Sequence, residues 1–472
     1  MSLAQGQRFT AGILTAGLFV LGGCYAAEPP LPESVFQEAT AGGRTPREEP
    51  SKPALETHPI DLGTALRIAA GTHLDILEAR ARVREAQGNA QAADGYLLPI
   101  LSACGTWGRT EGTVQASFGN LGEVKFGSVS ALGTVQISAN VGQSIYQDLA
   151  SHRLAEASME FELAQVQRTL LEVAQDYLVL VEADVTVRLN EQFVQETQGL
   201  VRYTAARETQ GVGSALDTER ARTQAAEAEQ RLLVARNERQ RRSKTLAQAL
   251  RLDSSIDLSP LDKDLAPATL VAPAETLQNW LGRAAEHRPE TRAFRLGREA
   301  AEQEAKATRW SVWGPQVSAG YLGGGLGRTA SSVDERESWL LGVGWTLSFG
   351  GPGRIEAADA RLQQADIQFQ RFQDHLLASV AGAYQDVVLS RDRIDPANRE
   401  RIAAEKALRL ARVNFEGGVL PENDLLLAEL AADQARQKQL TAVSRYNQSQ
   451  LELLAESGVA SADAYVGGAG TK

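Results

Sequence analysis

Gly211-Val-Gly-Ser-Ala-Leu-Asp217-Thr-Glu-Arg-Ala221 and Gly418-Val-Leu-Pro-Glu-Asn-Asp424-Leu-Leu-Leu-Ala428 are two copies of one Gly-x5-Asp-x3-Ala pattern, 207 residues apart. Val173-Ala174-x-x-Tyr177 and Val380-Ala381-x-x-Tyr384 keep the same spacing. Upstream, Pro99-x-x-Ser102-Ala103 matches Pro315-x-x-Ser318-Ala319 at a spacing of 216. A unit of roughly 200 residues is far too long for a solenoid repeat, so the chain reads as a duplicated half-fold building one pseudo-symmetric body. Length alone, 472 residues, would suggest about three ordinary domains.

Two textures alternate within each copy. Val135-Gln-Ile137-Ser-Ala139 and Trp339 to Phe349 alternate apolar with polar residues, the period-two signature of a strand with two unlike faces. With weaker partners at Leu101–Trp107 and Val317–Tyr321, they give strand pairs at about 100–146 and 315–350, with turn-rich tips near Gly119-Asn120-Leu121-Gly122 and Gly323–Asp334. Ser102, Cys104, Thr106, Gln136, Ser138 and Asn140 form the polar, water-facing set. Trp107, Trp310, Trp313, Trp339 and Trp345 cluster in or beside these blocks. They suit the core of a soluble sandwich less well than the aromatic girdle of a membrane barrel. Four strands cannot close a channel-sized barrel, and an open edge in lipid leaves backbone groups unpaired, so other subunits must complete the sheet.

The remainder is helical in texture. Leu163, Val166, Leu170, Val173, Tyr177 and Leu180 form a heptad seam. The stretch from 150 to 209 lacks proline, and some 60 helical residues span roughly 90 Å. Residues 217–250 return from the first glycine turn as the second arm of a helical hairpin, and 354–415 with 422–456 repeat the plan. Pro396 is expected to kink or restart the helix, with Asp395 as its cap.

Residues 1–23 read as an export signal, with Arg8 before an apolar stretch too short to span a bilayer and Leu21-Gly-Gly-Cys24 at its end. Small residues before Cys24 are similar to a bacterial lipobox, whose cysteine is acylated; an ordinary signal peptide with an incidental cysteine is the other reading. Tyr25, rather than Asp, follows, which by the same resemblance favours the outer membrane. Six prolines between 29 and 53 make 24–58 an extended tether. With only Cys104 left, no intrachain disulfide is possible. No apolar run of about 18 follows residue 24, so any membrane crossing is by strands. A net charge of −11 without a basic cluster disfavours a nucleic-acid partner.

The order helix, strand pair, long helix, glycine turn and returning helix, stated twice, resembles the TolC-like outer-membrane efflux proteins of Gram-negative bacteria over about residues 60–457. The matching features are the Pro99 and Pro315 junctions and the paired tip motifs. The resemblance implies a mixed fold, a membrane β-barrel plus an α-barrel. Each of two repeats (59–265 and 266–457, before a flexible tail at 458–472) gives two strands and long periplasmic coiled-coil helices, and a homotrimer completes a 12-stranded barrel. It also implies a passive conduit between outer-membrane lipid and the periplasm, served by a periplasmic adaptor protein and an inner-membrane pump of an efflux or type I secretion system.

On that resemblance the tips at about 207–217 and 413–424 dock the adaptor through Gly211, Val212, Gly213, Gly417, Gly418 and Val419, with Asp217, Asp424, Phe415 and Leu420 at the periplasmic gate. The two acids start returning helices, so capping or dipole complementarity competes with an acidic ring made threefold by symmetry. Phe415 and Leu420 stand where relatives carry polar locking groups, which puts packing in place of a hydrogen-bonded lock.

No catalytic, cofactor or metal constellation is expected: His58, His73, His152, His287 and His375 lack ligand spacing, and no Ser or Cys sits in a nucleophile motif. No Met or His run argues for a metal cargo. The competing class is a lipid-anchored periplasmic coiled-coil scaffold without a pore. It would leave the alternating strands and clustered tryptophans unexplained.

Overall fold

The computed structural model describes residues 57–115, 121–253, 255–272, 274–461 and 464–465. Cys24, the export signal, nearly all of the tether and the Gly119-Asn120 turn lie outside them. The chain divides into two units, one of strands and one of helices.

The strand unit is a single antiparallel sheet, order β2-β3-β5-β6, from β2 (Ile100–Gln115), β3 (Leu121–Ala139), β5 (Gln316–Gly327) and β6 (Val333–Gly344). Register fixes its two faces, because alternate residues point opposite ways. One cross-strand row runs Leu101, Val135, Tyr321, Trp339 and the next runs Ser102, Thr134, Leu322, Ser338. The second face carries hydroxyl pairs: Ser102 bonds Thr134, and Thr106 Oγ1 lies 2.6 Å from Ser130 Oγ. Cys104 and Gln136 share that face, as expected, but Ile100 lies opposite Gln136 and Leu132 opposite Cys104, so it is not uniformly polar. Asn140 falls just past the end of β3.

Two boundaries differ from expectation. Strand texture predicted to 146 ends at Ala139, with helix from Val141; that predicted to 350 ends at Gly344. Partners explain the second limit. Gly344 pairs with Gln316, and before Gln316 stands Pro315, which has no N–H to extend a ladder. Trp345, Leu347 and Phe349 keep the alternation without a neighbouring strand.

The helical unit comprises α1 (Leu62–Thr72), α2 (Leu74–Asp94), α3 (Val141–Thr209), α4 (Ala215–Ala249), α5 (Leu277–His287), α6 (Pro289–Trp313), α7 (Gly351–Glu416) and α8 (Glu422–Glu456). α3 at 69 residues is about 100 Å long at 1.5 Å per residue. α7 runs unbroken through Pro396, contrary to the expected restart, and Asp395 is no cap but pairs with Arg399 one turn on at 3.2 Å. A short parallel pair, β1 (Thr57–Ile60) with β4 (Asp257–Pro260), completes it.

The main core gathers Leu170, Val173, Tyr177 and Leu180 of α3 with Leu66, Leu246, Leu258, Trp280, Val380 and Leu451. The heptad seam is thus buried from Leu170 onward, while Leu163 at its start is exposed. The repeat is visible in its hydrogen bonds. Tyr177 Oη donates to Asp262 Oδ2 at 2.7 Å, and Tyr384, 207 residues on, donates to the Glu275 carbonyl at 3.4 Å. Both tie a long helix to the segment joining the repeats. α8 straps the same segment: Asn447 and Gln450 bond backbone groups of Ala266, Ala268, Leu270 and Val271 at 2.9–3.1 Å.

Candidate functional site

Both hairpin turns are the same backbone device. Gly211 and Gly418 each have φ +74°, a left-handed conformation that costs any side chain with a Cβ. Past α3 the N–H groups of Val212 and Gly213 donate to the Arg207 carbonyl, both at 3.1 Å. Past α7 those of Val419 and Leu420 donate to the Asn414 carbonyl at 2.9 and 3.2 Å. These glycine-terminated caps satisfy the last carbonyls of each helix. Gly213 is required by space, since a Cβ there would sit 2.9 Å from Arg207 Cβ. Gly417, expected to act with them, has a helical φ of −75° and needs no glycine conformation. Val212 and Val419 project as exposed side chains, 64% and 80% accessible.

Neither tip acid is the helix cap. Ser214 caps α4, its Oγ accepting from Leu216 N at 3.2 Å, while Pro421 precedes α8 without a side-chain bond. Asp217 and Asp424 occupy the first turns, where a carboxylate complements the helix dipole. Asp424 is exposed and Asp217 half-buried.

Phe415 is buried within the protomer, with Leu200, Ala221, Leu408 and Leu425 from all four long helices, and Leu420 packs at the edge of this cluster. Sequence reasoning missed its polar companions on the first tip. The Tyr203 ring lies 5.4 Å from Phe415, and the Arg207 guanidinium sits 5.6 Å over the Phe415 ring.

Also missed were three acids on one face of α8, Glu422, Glu429 and Asp433, exposed by only 3%, 2% and 1%. Their spacing of seven and four residues is the signal that was available. Burial raises the pKa of each above the usual carboxylate range. Arg412 opposes it at Glu429, 3.3 Å away, and Arg231 at Asp433, 3.5 Å away. Glu196 of α3 and Glu405 of α7 extend the lattice through Arg436 at 3.7 and 3.3 Å.

On the sheet, Leu101, Trp107, Trp339, Leu341 and Val343 share one face and are 60–82% exposed. An exposed apolar surface this continuous belongs against lipid or another protein. The Tyr321 and Trp339 rings, 4.5 Å apart, lie in it. Trp313 and Trp345 are exposed. Trp310 packs against the first turn of α3, where a Cβ at Gly142 would fall 2.1 Å from its ring. The sixth tryptophan, Trp280, is buried in the helical core.

One histidine departs from the expected isolation. His152 Nε2 of α3 lies 2.9 Å from Asp94 Oδ1 and 3.6 Å from Asp148 Oδ1, the three atoms mutually within 4.8 Å. The Asp94 hydrogen bond raises its pKa, which favours the charged ring beside the exposed Asp94 and the half-buried Asp148. No helix among the described residues is long and apolar enough to cross a membrane.

Residues 65–250 and 280–459 match the family model described as outer membrane efflux protein. Over 183 residues the chain is 28% identical to the outer membrane protein TolC of Vibrio cholerae, covering 37% of this chain and 41% of that protein. Among solved structures, VceC of Vibrio cholerae aligns with a TM-score of 0.75 at 19% identity, covering 84% of this chain and 96% of that one. The open-state MtrE channel of Neisseria gonorrhoeae aligns at 0.72 and 19% identity, covering 84% and 88%. At those identities the likeness is one of fold, in which two repeats each carry a strand pair and long helices. With the family model matching both repeats across most of its length, the chain belongs to the outer membrane efflux protein family.

Proposed function

We propose that three copies of this chain form the outer-membrane channel of a tripartite efflux or type I secretion system, giving passive exit to substrates delivered by an inner-membrane pump and a periplasmic adaptor. The observation that carries it is the four-stranded sheet, apolar and exposed on one face, with β2 and β6 each paired on one side only among the described residues. Unpaired edges are untenable in lipid, and three sheets in a ring remove them by giving a closed barrel of 12 strands. A lipid-anchored scaffold without a pore would leave that apolar face in water.

In this reading Trp107, Trp339 and their neighbours meet lipid and the hydroxyl-bearing face lines the lumen. The turns at Gly211–Gly213 and Gly417–Val419 dock the adaptor. Asp217, Asp424, Phe415 and Leu420 form the periplasmic gate, and Cys24 carries the lipid that tethers the mature N-terminus. Detergent-extracted protein should migrate as a heat-modifiable trimer and give discrete conductance steps in planar bilayers. A monomer without conductance would overturn the channel in favour of the scaffold.

A further inference from the structure

Glu422 differs from the other two buried acids on its helix. Glu429 and Asp433 each meet an arginine, whereas neither Glu422 Oε1 nor Oε2 meets a hydrogen-bond donor among the described residues. The carboxyl acting on it most strongly is Asp217, in the first turn of α4, and the cation acting on it among the described residues, Arg220, belongs to the same helix. The remaining elements of the tip bring no substitute. Arg207 of α3 is turned over the Tyr203 and Phe415 rings and reaches the Val212 carbonyl, α7 presents the Phe415 ring, and on α8 itself Asp424 is exposed. Two acceptor-only carboxylates side by side, with the oxygens of Glu422 withdrawn from water, are unfavourable, and one proton between them supplies the missing donor.

We propose that Asp217 and Glu422 form a proton-held latch between the first turns of α4 and α8, joining the two hairpin tips of one protomer while they share a proton and letting them separate when it leaves. In the joined state the Glu422 carboxyl donates its O–H to the Asp217 carboxylate; release yields two carboxylates and a solvated proton. The consequence for gating rests on the proposed role of the tips, but the latch itself does not.

Burial, followed by the hydrogen bond and charge of Asp217, pushes the Glu422 pKa up to about 8. Joined tips therefore hold a proton that separated tips release. Their cohesion is fully present below the ordinary value of 4.5 and is lost as pH rises through about 8, so the latch opens on the alkaline side.

The test is the distance between nitroxides at Leu216→Cys and Asn423→Cys, in a Cys104→Ser background and in trimers diluted with unlabelled chains, measured by electron paramagnetic resonance from pH 6 to 9. The ratio of joined to separated tips should fall as pH rises, by up to about tenfold per unit for one proton. Glu422→Gln supplies a permanent amide donor to Asp217 and should hold the tips together throughout. Asp217→Asn donates to an ionised Glu422 and should do the same, which keeps the test intact where the first variant fails to assemble. A pH-independent distance in the native chain, or an unchanged response in both variants, overturns the latch. Conductance recorded in parallel separates the two ideas, since a distance change without a conductance change supports the latch and rejects the tips as gate.

Discussion

Gly417 and Gly418 are neighbours, yet only the second is demanded by the backbone. Gly418 at φ +74° should lose about 1 kcal/mol on replacement by alanine, whereas Gly417 at φ −75° should change by less than about 0.5 kcal/mol. Thermal or denaturant unfolding of the two variants checks the contrast. Asp424, two residues beyond Glu422, is exposed, is not the cap of α8, and is free to project charge. Three such carboxylates around an axis would reinforce one another's field, so Asp424→Asn should lower cation selectivity in bilayer recordings and relieve divalent block from the tip side. Leu427 stands one turn behind, so no second acidic ring backs the first and block should be weak. Unchanged selectivity together with lowered stability would assign Asp424 to the helix dipole alone.

Among the elements, α7 shows how tertiary packing overrides a local breaker. Pro396 lacks an N–H and crowds the preceding turn, yet the helix continues for twenty residues beyond it. Leu408, Ala411 and Phe415 of that later stretch are buried against the other three long helices, which gives it reason to persist. The turns that follow α3 and α7 put exposed valines on tight, glycine-shaped backbone. A bulky or charged side chain there should obstruct a docking partner while leaving the sheet untouched. Gly418→Trp and Val212→Asp should therefore abolish export with trimers still present in the outer membrane. Loss of the trimer itself would make the turns folding elements instead.

For the whole molecule, the apolar face of the sheet and the proposed lipid at Cys24 are independent attachments. A single acyl chain gives only marginal binding, whereas a closed barrel is permanent, so Cys24→Ala should impair processing or sorting more than pore architecture. Mass spectrometry of the mature N-terminus checks this; an unmodified terminus at another cleavage site contradicts it.

The sequence by itself determined the duplication, the two faces of each strand pair, the hairpin arms and the glycine turns. Each rests on a short-range period or a local dihedral, which neighbouring residues fix without help from the rest of the fold. Its ladder limits were less legible, because Trp345–Phe349 alternates like a strand and only the position of Pro315 in the partner ends it. Composition did not distinguish Trp280, a core residue, from the five tryptophans beside the strands, but its place in the sequence, away from both strand blocks, did. Only the tertiary structure decided the surroundings of the acids. Glu422 and Asp217 lie 205 residues apart in sequence, and Glu422 reads there as one more charge on a polar helix. Its burial against a second carboxyl, with no arginine in reach of the kind that Glu429 and Asp433 have, comes from the packing of four helices, since desolvation and partner geometry are properties of the assembled tip and not of any segment within it.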